Sequence, residues 1–322
     1  MDSPTSADLL PKEFVQRLQM LLPKDRLDSV LDSFFRQKQA TFRINTLKNS
    51  VDGSVHELKK QGFLLEEVTW MPGAFVLKNR DLPALQETEN YKRGELYIQN
   101  LSSMLPVILL NPQPGETVLD MTAAPGSKTT QIAMHMQGQG VLIANDNHRQ
   151  RFFKMKSILG QQGVQNIQIS CKYGESFGKT HPGFFDKILL DAPCSTEGRF
   201  SMADPDSFRY WKPSKCKEMA RKQKRLILSA VESLKPGGVL VYSTCTFAPE
   251  ENEEVLNWML QKVGPQIAFE KINLPFANIQ MPLTEWEGKL FSEEIQHAVR
   301  ILPDESMECF FVAKMIKQDI CR

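Results

Sequence analysis

The chain has 322 residues, of which 41% are hydrophobic and 24% charged, and its formal net charge is +1, as in an ordinary soluble globular protein of one or two domains. No apolar run reaches the ~18 residues that a membrane-spanning helix needs. The first ten residues lack the basic and apolar regions of a secretory signal, so we expect a cytoplasmic protein.

The first third of the chain alternates short apolar runs with one helical stretch. The runs TFRINTL (41–47), LEEVTW (65–70) and GAFVLKN (73–79) predict strands, and SVHELKKQ (54–61) predicts a helix. We interpret residues 1–105 as a small α+β N-terminal domain, and we expect a helix over YIQNLSSMLPVILL (97–110) to join it to the rest.

From residue 116 onward, strands alternate with helices, which predicts βαβ units and a mostly parallel sheet in a domain of residues 106–322. The predicted strands are ETVLDMT (116–122), VLIAND (141–146), NIQISC (166–171), FDKILLDAP (185–193), VLVYSTC (239–245) and CFFVAKMI (309–316). The predicted helices are SKTTQIAMHMQ (127–137), RQRFFKMKSIL (149–159), a long helix ending at LKPGG (234–238), and one whose first turn is Pro249 and the glutamates after it. The pattern assigns no element to residues 265–308.

The first of these strands leads into a loop of small residues, DMTAAPGSKTTQ (120–131). Small side chains let a ligand approach the backbone, and the helix N-terminus that follows favours a carboxylate or phosphate. Neither a G-x-G-x-x-G nor a Walker pattern is present, which argues against NAD and ATP. Asp146 ends the next strand, where an acid typically binds ribose hydroxyls; the alternative is that it caps the next helix. Ribose and carboxylate without pyrophosphate indicate S-adenosylmethionine as the cofactor.

Two of the six cysteines follow strands that we expect to be neighbours. Asp191 and Cys194 lie in DAPCSTEGRF (191–200), and Cys245 ends VLVYSTC. Ligands bind at the carboxyl ends of strands in open α/β sheets, so both thiols and the carboxylate should face one cleft. The alternative is two unrelated buried thiols. The cysteines include no CxxC pair, so we expect reduced thiols and neither a metal site nor a disulfide framework.

The motifs AAPGSKTTQ, DAPCSTEG and YSTCT together resemble those of the RNA cytosine-5 methyltransferases of the Nop/Sun family, closest to the bacterial ribosomal-RNA members. RINTLK (43–48), YIQNLSSMLPV (97–107) and PEENEEV (249–255) fit the same family. The resemblance covers residues 40–315. It implies a Rossmann-type S-adenosylmethionine-dependent methyltransferase sheet preceded by a small RNA-contacting domain.

The resemblance also implies a role for each site residue. It assigns nucleophilic attack on carbon 6 of cytosine to Cys245 and release of the covalent product to Cys194. Asp191 would contact ring nitrogen 3 of the base, with Lys128 assisting it; the alternative for Lys128 is a solvated first-turn lysine. The implied cofactor-binding residues are Thr122, Ala123, Ala124, Pro125, Gly126, Ser127, Lys128, Asp146 and Asp191.

Three features bear on ligand and partner. Tyr173 stands where the family usually has an acid near the adenine amine, which predicts weaker binding of the adenine part of the cofactor. Asp304 and Cys309 replace a usual histidine and glycine.

The basic stretch KPSKCKEMARKQKR (212–225) is either a solvated helix face or a phosphate-binding surface. Side chains that follow the Cys194 loop and could bind RNA are Arg199, Arg209 and Trp211.

From these features we expect a monomer that acts on ribosomal RNA or, second, on transfer RNA. The competing hypothesis is an RNA-binding assembly factor that keeps the cofactor pocket without turnover. Tyr173 favours that alternative, whereas both cysteines and Asp191 argue against it.

Overall fold

The computed structural model describes residues 9–319. Its α-helices are α1 (Lys12–Leu21), α2 (Lys24–Ser33), α3 (Val51–Lys60), α4 (Leu82–Gln86), α5 (Glu89–Lys92), α6 (Leu101–Leu110), α7 (Ser127–Met136), α8 (Arg149–Gln161), α9 (Phe177–Thr180), α10 (Pro213–Ser233) and α11 (Glu253–Val263). Its strands are β1 (Thr41–Ile44), β2 (Leu65–Glu67), β3 (Ala74–Leu77), β4 (Leu96–Ile98), β5 (Thr117–Asp120), β6 (Val141–Asn145), β7 (Ile167–Ser170), β8 (Phe185–Asp191), β9 (Leu234–Thr244), β10 (Ile267–Glu270), β11 (Ile279–Gln280), β12 (Glu285–Trp286), β13 (Lys289–Leu290), β14 (Val299–Ile301) and β15 (Phe310–Lys317). None of the helices within residues 9–319 is both long and apolar enough to cross a membrane.

Four short strands near the N-terminus form an antiparallel sheet in the order β2-β3-β1-β4. Helix α3 packs on this sheet through Leu58, which lies in one apolar cluster with Phe42 and Phe75. The helix starts at Val51 because the side chain of Ser50 accepts a hydrogen bond from the backbone N–H of Gly53, as an N-cap does. This arrangement agrees with the predicted α+β character of the segment.

Helices α1 and α2 pack on a different part of the molecule. The ring of Phe14 in α1 lies 4.8 Å from that of Phe200 and 6.3 Å from that of Phe247, centroid to centroid. Phe200 and Phe247 belong to the loops that contain Cys194 and Cys245, so α1 packs directly against both cysteine loops. The predicted domain boundary after residue 105 falls inside helix α6 and remains a prediction.

The large sheet has its strands in the order β11-β14-β15-β9-β8-β5-β6-β7. Strands β5 to β9 are parallel, and alternate side chains of each strand face opposite layers of helices. Leu190 packs in the layer with α10 and α11, whereas Leu189 packs in the layer with α6 and α7. Helices on both faces of a parallel sheet confirm the predicted Rossmann-type α/β class.

The other half of the large sheet is antiparallel, so the sheet is mixed rather than mostly parallel. Strand β15 runs antiparallel to β9, with Val312 opposite Ser243, and β10 and β14 are antiparallel to β15. Strands β10 to β14 all lie within the segment to which the sequence pattern assigned no element. An apolar run predicts a buried strand but does not show in which direction the strand runs.

The predicted helix after Pro249 begins later than expected: Glu253 and Glu254 lie in its first turn, as predicted, whereas Glu250 and Glu251 precede it. Helix α11 starts four residues later, at Glu253, and the carboxylates before it turn inward. Glu250 binds Arg17 of α1 at 2.6 Å, and Glu251 accepts a hydrogen bond from the backbone N–H of Ser195 at 3.0 Å. Burial raises the pKa of Glu251 to about 8. Glu250 and Glu251 are therefore bound to residues that lie far away in the chain. The local sequence pattern that predicts the start of a helix does not indicate such partners.

The predicted helix over residues 97–110 is shorter than expected. Residues 96–98 form strand β4, which pairs with β1, and the helix begins only at Leu101. Asn100 separates the two elements, because its side-chain oxygen accepts a hydrogen bond from the backbone N–H of Ser102 and caps the helix.

Candidate active site

A cavity of about 480 Å³ opens where β5, β6, β8 and β9 end. The strand order reverses between β5 and β8, which is the position where open α/β sheets bind ligands. Its lining includes every predicted site residue except Gly126, namely Thr122, Ala123, Ala124, Pro125, Ser127, Lys128, Asp146, Asp191, Cys194 and Cys245. Among residues 9–319, no group of three His, Cys, Asp or Glu side chains is arranged to hold a metal ion.

Gly126 does not line the cavity but stands at the N-cap of helix α7, where it shapes the turn into the helix. Its φ of 110° is in the left-handed region that favours glycine. A Cβ atom at this position would lie 3.4 Å from the side chain of Met155 in α8, so the turn packs closely on that helix. Gly126 therefore shapes the backbone of this turn, and its predicted contact with the cofactor stays a prediction.

Asp146 follows β6 and is 3% exposed. Its carboxylate accepts hydrogen bonds from the backbone N–H groups of His148 at 2.9 Å and Ala124 at 3.3 Å. The N-cap of α8 is His148 itself, so the alternative that Asp146 caps this helix was wrong. The carboxylate instead ties the loop after β6 to the loop after β5, along the wall of the cavity.

Asp120, at the end of β5, is an acid whose role the sequence motifs did not indicate. Its Oδ2 accepts a hydrogen bond from the Thr129 hydroxyl at 2.7 Å, whereas its Oδ1 is buried without a partner among the described residues. Burial raises the pKa of this carboxyl to about 7. An unsatisfied buried oxygen in a cavity wall is suited to a ligand that brings a hydrogen-bond donor.

Asp191 and Lys128 form an ion pair inside the cavity, with Lys128 Nζ 2.7 Å from Asp191 Oδ2. Lys128 is 5% exposed and also donates to the Ser103 hydroxyl at 2.8 Å, so the alternative of a solvated lysine was wrong. The other Asp191 oxygen accepts a hydrogen bond from the Ser243 hydroxyl at 2.8 Å. Lys128 and Ser243 therefore fix the position of the Asp191 carboxylate, and Lys128 can act as a proton donor next to it.

The two loop cysteines lie together, with Cys194 Sγ 3.3 Å from Cys245 Sγ. Strands β8 and β9 are neighbours with Asp191 opposite Ser243, which brings the two loops to the same edge of the sheet. The hydrogen bond from the Cys194 thiol, helped by the charge of Arg199, lowers the pKa of Cys245. The same contact raises the pKa of Cys194 well above its usual value. Cys245 is thus the thiol of the pair that ionises first.

A buried acid that the sequence analysis missed connects the two loops. Glu197 accepts hydrogen bonds from the Thr246 hydroxyl at 2.7 Å, the Phe247 backbone N–H at 3.0 Å and the Trp211 indole N–H at 2.9 Å. Next to it, the backbone N–H of Gly198 donates to the carbonyl of Cys245 at 2.9 Å. The signal available in the sequence was an acid three residues after a loop cysteine, which by itself indicates no partner. Trp211, one of the side chains that could bind RNA, donates its indole N–H to this carboxylate, and its contact with RNA stays a prediction.

The basic stretch 212–225 lies on α10, and part of its charge is already paired. Lys224 Nζ is 3.2 Å from a carboxylate oxygen of Glu254, and Arg225 Nε is 3.5 Å from one of Glu175. Tyr173 is 71% exposed and does not line the cavity, whereas Glu175 does. An acid therefore does line the cavity near the third strand, two residues after Tyr173.

The chain is similar to known proteins over most of its length. The family profile of 16S rRNA methyltransferase RsmB/F matches residues 107–316, and that of the N-terminal domain of 16S rRNA methyltransferase RsmF matches residues 10–101. A crystal structure of a methyltransferase homolog from Pyrococcus horikoshii covers 98% of this chain and 100% of its own chain, at a TM-score of 0.84 and 35% identity.

Two curated relatives carry more specific names. A tRNA (cytosine(49)-C(5))-methyltransferase from Pyrococcus abyssi is 40% identical over 98% of this chain and 99% of its own length. Ribosomal RNA small subunit methyltransferase F from Vibrio parahaemolyticus is 38% identical over 96% of this chain, which spans only 63% of that protein. The chain therefore belongs to the RsmB/F family of RNA methyltransferases, which confirms the resemblance that its three loop motifs predicted.

Proposed function

We propose that this protein transfers a methyl group from S-adenosylmethionine to carbon 5 of a cytosine in RNA through a covalent adduct with Cys245. The observation that carries the proposal is the pair of thiols 3.3 Å apart, next to the ion pair of Asp191 and Lys128, in one cavity. The names of the relatives support RNA as the substrate, and they include both a transfer-RNA and a ribosomal-RNA enzyme.

The cavity fits S-adenosylmethionine. Its volume of about 480 Å³ lies within the range of small-molecule sites. The unsatisfied Oδ1 of Asp120 suits the ammonium group of the methionine part, and Asp146 suits the ribose hydroxyls. The small side chains of residues 122–127 leave room beside the N-terminus of α7. When bound, the cofactor supplies a methyl group attached to a sulfonium.

The residues of the chain have to make carbon 5 of cytosine nucleophilic. The thiolate of Cys245 adds to carbon 6, forming a carbon–sulfur bond and turning the ring into an enamine. Asp191 would contact ring nitrogen 3, and Lys128, whose Nζ lies 2.7 Å from Asp191 Oδ2, can supply through this carboxyl group the proton that the addition requires. After methyl transfer, a base removes the proton on carbon 5, the carbon–sulfur bond breaks and Cys245 leaves as a thiolate. We assign Cys194 to this release step, as the family resemblance implies.

The base must be unstacked, or already single-stranded, to reach the two thiols. We therefore test the substrate class with labelled S-adenosylmethionine and total RNA from a strain that lacks this gene, followed by size fractionation. We expect label in the ribosomal-RNA or transfer-RNA fraction, which names the substrate class directly. Equilibrium binding of RNA and of S-adenosylmethionine without any labelled product would overturn the proposal in favour of an assembly factor.

The contact between the two cysteine loops should be sensitive to one methyl group. A Cβ atom on Gly198 would lie 2.6 Å from the carbonyl oxygen of Cys309 and 3.1 Å from that of Cys245, so Gly198→Ala should push the loops apart. Because displacements of about 1 Å can cost ~100-fold in rate, we expect a 10- to 100-fold slower methyl transfer. The control is Gly160→Ala on α8, where the added Cβ meets nothing within 4 Å. Equal rates for the two variants would contradict the importance of this contact.

A further inference from the structure

Arg199 lies at the opening of the cavity, on the turn that follows Cys194. Its side chain lines the same cavity as both thiols, and the residue before it is hydrogen-bonded to the carbonyl of Cys245 at 2.9 Å. The guanidinium is not held by a close pair, because its Nε is 3.6 Å from Glu308 Oε2 and its side chain is 60% exposed. It can therefore move towards a negative charge that forms inside the cavity.

Cys245 is surrounded by several charged or titratable groups. Cys194 and Arg199 come from the loop after β8, Asp191 from the end of β8, and Glu308 and Cys309 from the segment before β15, while Lys128 of α7 lines the same cavity. Only two of these groups are cations, and Lys128 already binds Asp191 at 2.7 Å. Of these two cations, Arg199 is thus the one that can form an electrostatic interaction with the sulfur of Cys245.

Glu308 opposes this interaction. Its side chain is 24% exposed and shares the guanidinium of Arg199, and burial raises the pKa of the Glu308 carboxyl. The pKa of Arg199 is itself raised above its usual value, chiefly by the charge of the Cys245 thiolate and next by that of Glu308. The thiolate and the carboxylate therefore compete for one guanidinium at the opening of the cavity.

We propose that Arg199 is a positioning residue that stabilises the thiolate of Cys245, and that Glu308 limits this effect by competing for the same guanidinium. The importance of this arrangement for methyl transfer rests on the proposed function, in which Cys245 is the nucleophile. An opposite charge next to an ionisable group favours its charged form, commonly by ~1–3 pKa units. Neutralising Arg199 should therefore move ionisation of Cys245 to higher pH, and neutralising Glu308 should move it to lower pH.

The test measures alkylation of the full chain by iodoacetamide between pH 6 and 10, with Cys245 and Cys194 separated by peptide mass spectrometry. Only the thiolate reacts, so the rate follows the ionised fraction. For Arg199→Gln we expect a shift of the profile to higher pH and alkylation of Cys245 slowed at neutral pH by ~10-fold or more. Arg199→Lys, which keeps the charge, should restore most of the rate, and Glu308→Gln should speed alkylation.

The control is Arg209→Gln, which removes the same charge from an exposed pair with Asp206 outside the cavity. The proposal is overturned if Arg199→Gln shifts the profile no further than Arg209→Gln does. It is equally overturned if Glu308→Gln leaves the profile unchanged, and this variant keeps the test open should Arg199→Gln fail to fold. Alkylation needs neither RNA nor cofactor, so a failed methylation assay and a failed alkylation shift are separate results.

Discussion

Replacing Cys245 by alanine should abolish methyl transfer to RNA, with a loss on the order of 10⁴-fold or more, because the reaction then lacks its nucleophile. Replacing Cys194 should have a different result. Since its proposed role follows methyl transfer, Cys194→Ala should accumulate a covalent protein–RNA complex that survives denaturing gel electrophoresis.

The double variant, with both cysteines replaced by alanine, should form no such complex. Cys171→Ala is the matched control, because this thiol is exposed and does not line the cavity, and it should leave transfer rates at the wild-type level. If the Cys245→Ala variant formed the covalent complex and the Cys194→Ala variant did not, Cys194 would be the attacking thiol and the two assignments would be reversed.

Replacing Arg300 by methionine should strongly destabilise the fold, because Arg300 and Glu253 form a buried ion pair. Arg300 Nε lies 2.6 Å from Glu253 Oε1 and Nη2 lies 2.5 Å from Oε2, and the two side chains are 5% and 0% exposed. Removing one partner leaves an unpaired buried charge, which typically costs about 3–5 kcal/mol. We expect a loss of this size in the free energy of unfolding measured with urea.

The comparison variant is Arg209→Met, which breaks an exposed pair with Asp206 and should cost at most about 1 kcal/mol. Adding Glu253→Gln to Arg300→Met should recover part of the loss, because the double variant no longer buries a lone carboxylate. Equal losses for Arg300→Met and Arg209→Met would contradict the assignment of a structural role to the buried pair.

The sequence alone determined the features that depend on neighbouring residues. Alternating apolar runs and small-residue loops predicted the strands and helices of the α/β domain, and Asp191, Cys194 and Cys245 were predicted at strand ends. The three loop motifs also indicated the family, because the thiols and the carboxylate of this chemistry lie in short, contiguous stretches. Such features can be predicted without knowledge of the fold, because side-chain periodicity and the residue preferences of turns depend only on neighbouring residues.

Only the tertiary structure decided what pairs with what across long separations. It turned Glu250 and Glu251 inward to Arg17 and Ser195, joined the cysteine loops through Glu197, and reversed the direction of β15. It likewise placed Arg199 and Cys245 in the lining of one cavity and left Asp120 with an unsatisfied oxygen. A buried charge is tolerated only where the folded chain supplies its partner, and no local pattern names a partner tens or hundreds of residues away.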